Sequence, residues 1–158
     1  ADLIAAGMSP LAPESERVSA GRLFLREMEL YVAARTDFGF ETTLAGRAYL
    51  RLIRRLRETG WRVELIYLAL PDPQMARQRV AERVAHGGHD IPQEEIERRF
   101  HRGLVNLFNH YMAAVDRVDC LLNEGEQPEP VFVWRDGELD VLRQDIYTTI
   151  REMANHED

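Results

Sequence analysis

The chain has 158 residues, 45% of them hydrophobic, and a formal net charge of −7. That length and apolar share support one domain with a proper core, and the negative charge argues against a general nucleic-acid binder, although clustered arginines still make a local anion site. No apolar run approaches the ~18–20 residues that span a membrane, the start ADLIAAG carries no basic leader, and a lone cysteine, Cys120, builds no disulfide framework, which suits a reducing cytoplasm.

In chain order, Ser9 to Ser15 holds two prolines and reads as a loop. Ser15 is placed to cap a helix running to about Arg35, with Val18, Leu25, Met28 and Val32 near helical spacing. Phe38 to Thr42 reads as a short strand. From Leu44 to Thr59, Tyr49, Leu52, Ile53 and Leu56 follow the i, i+3, i+4, i+7 pattern, and Gly60 ends that helix. Val63 to Leu70 (VELIYLAL) is almost wholly apolar and predicts a buried parallel strand, with Pro71 and Pro73 opening the next helix, Gln74 to about Ala85. Ile96 to Val115 predicts the longest helix. Val118 to Leu122 predicts a strand, and Val131 to Trp134 followed by Arg135-Asp136-Gly137-Glu138 a hairpin with an Asp-Gly turn. Leu142, Ile146, Ile150 and Met153 mark a last helix. The alternation of element types favours an α/β fold.

All 20 Lys and Arg residues are arginine. Within these residues a Schiff-base mechanism and a phosphate-loop lysine are therefore excluded. Arg77, Arg79, Arg83, Arg98, Arg99 and Arg102 flank the stretch AHGGHDIP, Ala85 to Pro92. A glycine hinge between two arginine-bearing helices suits a lid that closes on phosphate, because guanidinium pairs bidentately with phosphate oxygens. The plainer alternative is pairing with Glu82, Glu94, Glu95 and Glu97 on solvated faces. His86 and His89 stand three apart, as some metal ligands do, but no Cys or His partner has matching spacing and the glycines break the helix that would hold them. No metal site is read from the sequence, and His89 reads better as a polar lid contact. Glu41-Thr42-Thr43 follows the predicted strand at the edge where open parallel sheets bind ligands; a threonine there also caps helices.

The stretches DLIAAGMSP, AGRLFLREMEL, FGFETTLAGRAYLRLIRRLRETGWRVELIYLALPDP, RVAERVAHGGHDIP and IERRFHRGLVNLF resemble the zeta-toxin-like P-loop kinases, in the bacterial branch labelled predicted ABC-type ATPase or zeta toxin family protein. The resemblance runs from Asp2 to about Glu126. It implies a P-loop kinase-like parallel sheet flanked by helices in a single domain, residues 1–158, with a helical lid over about 77–102 and a hairpin and helix over about 128–158. In that family a strand, a phosphate loop and its helix precede the point where this chain starts. The strand at Val63 to Leu70 is therefore expected at an unsealed edge, closed by another copy or by upstream residues.

The resemblance implies ATP and Mg²⁺ as cofactors and transfer of a phosphoryl group to a small hydroxylated acceptor, with a nucleotide sugar as one class. It makes Asp2 the base beside the acceptor hydroxyl and Arg83 a lid arginine on the phosphates. Glu41, Thr42 and Thr43 lie on the acceptor side. His89 aligns with the second lid arginine, whose role passes to Arg98, Arg99 or Arg102, and Asn123 is placed near adenine. An antitoxin protein and a homo-oligomer are implied partners, with no nucleic acid and no membrane. The competing reading is a kinase remnant that acts as a binding or partner module.

Overall fold

The computed structural model describes residues 17–87 and 90–155, which fall into two compact units divided between Glu41 and Thr42. In the first unit, α1 runs over Arg17–Ala34. Arg35 leaves it with a left-handed φ of 54°, and the amide of Thr36 returns to the Tyr31 carbonyl at 3.0 Å. The predicted strand Phe38 to Thr42 does not form. Phe38 instead stacks on Tyr31 with ring centroids 5.9 Å apart, and Phe40 packs edge-on against Phe24 at 5.8 Å. Those aromatics fold back onto their own helix, so the alternation that suggested a strand serves local packing.

The second unit is a mixed α/β layer. Its elements are α2 (Leu50–Glu58), β1 (Glu64–Ala69), α3 (Pro73–Ala85), α4 (Gln93–Asn106), β2 (Arg117–Leu122), β3 (Glu129–Arg135), β4 (Glu138–Val141) and α5 (Gln144–Asn155). The sheet order is β1-β2-β3-β4. β1 and β2 are parallel, Glu64 opposite Arg117 through Ala69 opposite Leu122; β3 and β4 are antiparallel additions. The four-stranded sheet flanked by helices is the expected α/β class and is consistent with a P-loop kinase-like fold. The Asp-Gly hairpin forms as read: Asp136 and Gly137 take φ of 51° and 93°, the pair of left-handed residues that a tight two-residue turn requires.

Two helices differ from their patterns. The helix expected from Leu44 starts only at Leu50, because Leu44 itself adopts φ 57°, which no helix accepts. The helix expected over Ile96 to Val115 begins at Gln93 and is α-helical only to Asn106; a π turn over Leu107–Tyr111 and a 3₁₀ turn over Met112–Ala114 complete it. The apolar residues explain the change. Leu107, Tyr111 and Val115 recur every fourth residue, and all are at most 1% exposed. An α-helix drifts by about 40° over each four-residue step. A wider turn keeps all three pointed inward.

The core lies between these helices and one face of the sheet. Tyr67, Cys120 and Phe132 stand in one row across β1, β2 and β3, and Val118 pairs with Trp134 in the next. The Phe132 ring sits 5.9 Å from Phe108 and 5.5 Å from Tyr147, tying β3 to α5 and the π turn. A bulge shifts the register opposite Cys120 and Leu121, with Pro130 facing Leu121, where a proline costs the ladder no bond. The start of the parallel pair is fixed by Asp116. Its carboxylate accepts from the Val63 amide at 2.7 Å and from Arg57 Nε at 2.9 Å, and its own amide donates to the Val63 carbonyl at 2.8 Å. β1 is an outer strand among the described residues, and it is not buried throughout as its unbroken apolarity predicts: it alternates. Tyr67 and Ala69 turn to the core, while Ile66 and Leu68 are 67% and 50% exposed.

Phe132→Ala should destabilise the protein by about 3–5 kcal/mol, and Ile66→Thr by no more than ~0.5 kcal/mol; urea unfolding of both variants checks the contrast, and equal losses would contradict the exposure of Ile66. Burial pushes the Cys120 thiol from 9.0 up to about 12 and the Tyr67 phenol upward as well, the latter helped by the nearby Cys120. Both groups fold in their neutral forms. Their contribution is complete below the unfolded thiol value and is lost as pH rises from 9 towards 12. Stability measured from pH 8 to 11 should therefore fall less steeply in Cys120→Val than in the unsubstituted chain, and identical slopes would count against it.

Candidate functional site

Two parallel strands deliver their C-terminal ends to the same side of a sheet, the side on which open α/β sheets bind ligands. Here Ala69 ends β1, and its carbonyl accepts from the amide of Asn123, one residue beyond β2, at 2.8 Å. Three residues past β1, Asp72 is extended and its Oδ1 accepts from the Met75 amide at 2.7 Å, while Pro73 opens α3. Cap and proline start the helix directly beyond the strand end. From α3, Arg79 Nη2 donates to the Asn123 carbonyl at 3.3 Å. The predicted adenine-side residue and an arginine-bearing helix thus meet at one end of the parallel pair.

α3 stops at Ala85. The His86 ring Nδ1 lies 2.7 Å from the Glu82 carbonyl and Gly87 takes φ 86°, so His86 and Gly87 act as a helix stop. His89 lies outside the described residues, as does Asp2. After the turn, α4 carries Glu94 and Glu95 in its first turn, where carboxylates favour a helix N-terminus. Arg77 of α3 pairs with Glu97 of α4, which also accepts from Gln93 Nε2 at 3.1 Å. Arg98 and Arg99 both pair with Glu95, the latter at 2.7 Å. The Arg99 hydrogen bond, with the charges of both arginines, holds the Glu95 carboxyl below the usual carboxylate range. The plainer reading of the arginine cluster therefore holds for Arg77, Arg98 and Arg99. Arg83 is engaged within the chain too. Arg102 is exposed and pairs with nothing among the described residues.

The segment after the absent strand is an irregular loop, Thr42 to Arg47, seated on α4. Thr42 Oγ1 accepts from the Leu44 amide at 3.3 Å, a local turn that uses one of the two predicted threonines for the backbone. Thr43 is exposed, as is Glu41, which closes the first unit. Leu44 is 3% exposed despite its left-handed φ. That conformation costs about 1–2 kcal/mol in an L-residue, and the surrounding contacts hold it. Asn106, only 4% exposed, donates from Nδ2 to the Leu44 carbonyl at 2.8 Å and accepts from Arg47 Nε at 3.2 Å. The Tyr111 hydroxyl donates to the Gly46 carbonyl at 2.8 Å. A Cβ on Gly103 would lie 3.0 Å from the Thr43 carbonyl and 3.3 Å from the Tyr67 hydroxyl, so glycine is what lets the loop touch the helix.

Of the predicted site residues, the described structure brings Asn123 to the end of the parallel pair and the Thr43 carbonyl onto α4 at Gly103. Gly103, Asn106 and Arg47 were missed. Their one sequence signal is Asn106, a polar residue between the buried positions Leu104 and Leu107. At the opposite end of the pair, a groove of about 360 Å³ is lined by Arg54, Arg57, Glu58, His110, Ala113 and Ala114. Its Arg57 is committed to Asp116 and to the Ala114 carbonyl at 3.1 Å, and Glu58 offsets its charge, so it makes a poor phosphate site. Among the described residues no three His, Cys, Asp or Glu side chains come together as metal ligands, and no helix is long and apolar enough to cross a membrane.

The family model described as Zeta toxin matches residues 15–128, well over half of the chain. An uncharacterized protein of Haemophilus influenzae is 26% identical over 99 residues, covering 63% of this chain and 71% of that protein. No solved structure matches. The chain belongs to the zeta toxin family.

Proposed function

We propose that this member of the zeta toxin family supplies acceptor-side and lid residues to ATP-dependent phosphoryl transfer onto a small hydroxylated acceptor, with nucleotide sugars as the first class to try. The observation that carries the reading is the arginine hairpin, α3 and α4, which springs from the C-terminal end of β1 and returns an arginine, Arg79, to the carbonyl of Asn123 at the end of β2. ATP, when bound, supplies the transferred phosphoryl group. The residues present suit the lid side of such a ligand: Arg83 and Arg102 would contact phosphate oxygens, and Asn123 the base. The 158 residues contain no lysine, and the described ones hold no carboxylate trio for Mg²⁺, so no role in cradling the phosphates or the metal is assigned to them.

The work left to these residues is placement and charge. Phosphoryl transfer needs little covalent help from a protein and depends on orientation and on neutralising the oxygens of the group in flight. Arginine suits that task because its planar fork meets two oxygens at once. Thr43, exposed on the loop, offers its hydroxyl to the acceptor. Asp2 and Glu41 keep acceptor-side roles on the family resemblance alone, Asp2 as base.

The test is phosphorylation of candidate nucleotide sugars from labelled ATP, by these residues together with the family's phosphate loop. Arg83→Ala should lower turnover by ~10³-fold while leaving the unfolding midpoint unchanged. Near-normal turnover would return Arg83 to the solvated face of α3. No transfer to any acceptor, with tight nucleotide-sugar binding retained, would favour a binding module instead.

A further inference from the structure

Asn106 is the one buried polar side chain among the described residues, and both of its hydrogen bonds reach back about sixty positions, to Leu44 and Arg47. They close on a loop whose own conformation is unfavourable, since Leu44 is left-handed and buried. A buried amide that meets donor and acceptor at once fixes one arrangement, because any other leaves its groups unpaired. Gly103, one turn earlier, removes the side chain that would hold the Thr43 carbonyl away. Helical spacing adds a further relation. Arg99 stands four residues before Gly103 and Arg102 four before Asn106, so the face of α4 that seats the loop continues towards two lid arginines.

We infer that Asn106 is a positioning residue that registers the Thr42–Arg47 loop, and with it the Thr43 hydroxyl, against the arginine-bearing face of α4. This rests on the acceptor-side reading of Thr43 proposed above. The amide does not touch substrate. It sets how far the loop hydroxyl stands from Arg102, the distance that an acceptor carrying both a hydroxyl and an anionic group would have to span. The donor half is the half that matters, since Nδ2 holds the carbonyl of the strained residue. Arg47 is exposed at the other end of the amide and has water as an alternative partner.

Two variants test this on the full chain. Asn106→Asp keeps shape and acceptor and loses the donor to Leu44. Gly103→Ala keeps every hydrogen bond and presses a methyl on the Thr43 carbonyl. In each, exchange of the buried Leu44 amide, which donates to Thr42 Oγ1, should quicken about tenfold while α5, Gln144–Asn155, exchanges as before. Affinity for UDP-N-acetylglucosamine, used as the probe, should fall by a similar factor well below the unfolding midpoint. A residue that merely fills space would leave Asn106→Asp like the unsubstituted chain. Unchanged loop exchange in both variants overturns the inference, as does quickened exchange with undiminished probe affinity. If the unsubstituted chain does not bind the probe, the nucleotide-sugar reading falls, and the exchange measurement alone decides whether Asn106 registers the loop.

Discussion

Parallel pairing of Glu64–Ala69 with Arg117–Leu122 makes a demand that a hairpin does not: the chain leaving Ala69 has to travel back to the far end of the sheet before Arg117. Everything that looks functional lies in or against that return. α3 departs from the strand end under the Asp72 cap, the hairpin turns at Gly87, and α4 with its π turn runs back to Asp116. Asp116 then closes the circuit by binding the Val63 amide, so the crossover is fastened where it rejoins β1. At the other end, the amide of Asn123 on the Ala69 carbonyl keeps the two strand ends together. The pairing thus fixes both the location of the candidate site and the stiffness of its base.

The return helix carries two requirements that a regular α-helix meets badly. Its C-terminal part must bury Leu107, Tyr111 and Val115 against the sheet, and its middle must present Gly103 and Asn106 to the loop. The π turn after Asn106 reconciles them by changing phase between the two faces. Tyr111 serves both sides. Its ring is buried in the core while its hydroxyl reaches the Gly46 carbonyl. Core packing and loop position are therefore linked through one stretch of chain.

Elements whose stability is local or continuous were legible in the sequence. VELIYLAL announces a strand by its apolarity, though not that alternate residues stay exposed, Asp136-Gly137 announces its turn by the left-handed geometry it needs, and Pro73 announces a helix start. The failures occur where one pattern serves two structures. Phe38 and Phe40 alternate as strand residues do, yet their rings pack on Tyr31 and Phe24. Tyr49 to Leu56 is periodic, but nothing in the composition before it says that Leu44 adopts a left-handed turn, because the reason lies about sixty residues away in Asn106. The loop's seat was invisible for the same reason. A glycine and an asparagine within an apolar helix acquire meaning only when the segment they touch is known.

The arginines sharpen the distinction between charge present and charge at hand. Glu95 and Glu97 between them engage Arg77, Arg98 and Arg99, so three members of the cluster already have carboxylate partners, two carboxylates against three guanidiniums. Exposed pairs of this kind are worth about 0–1 kcal/mol each, whereas a guanidinium on phosphate in a site closed to water gains more from the same fork. Under the proposed reading, exchange of carboxylate for phosphate would then cost little. Arg102, exposed and uncommitted among the described residues, requires no such exchange. It stands one turn before Asn106, next to the loop rather than at the hinge. On the proposed lid reading, Arg102 marks the root of the helix pair, beside the loop, as the place to which an anion would be drawn first.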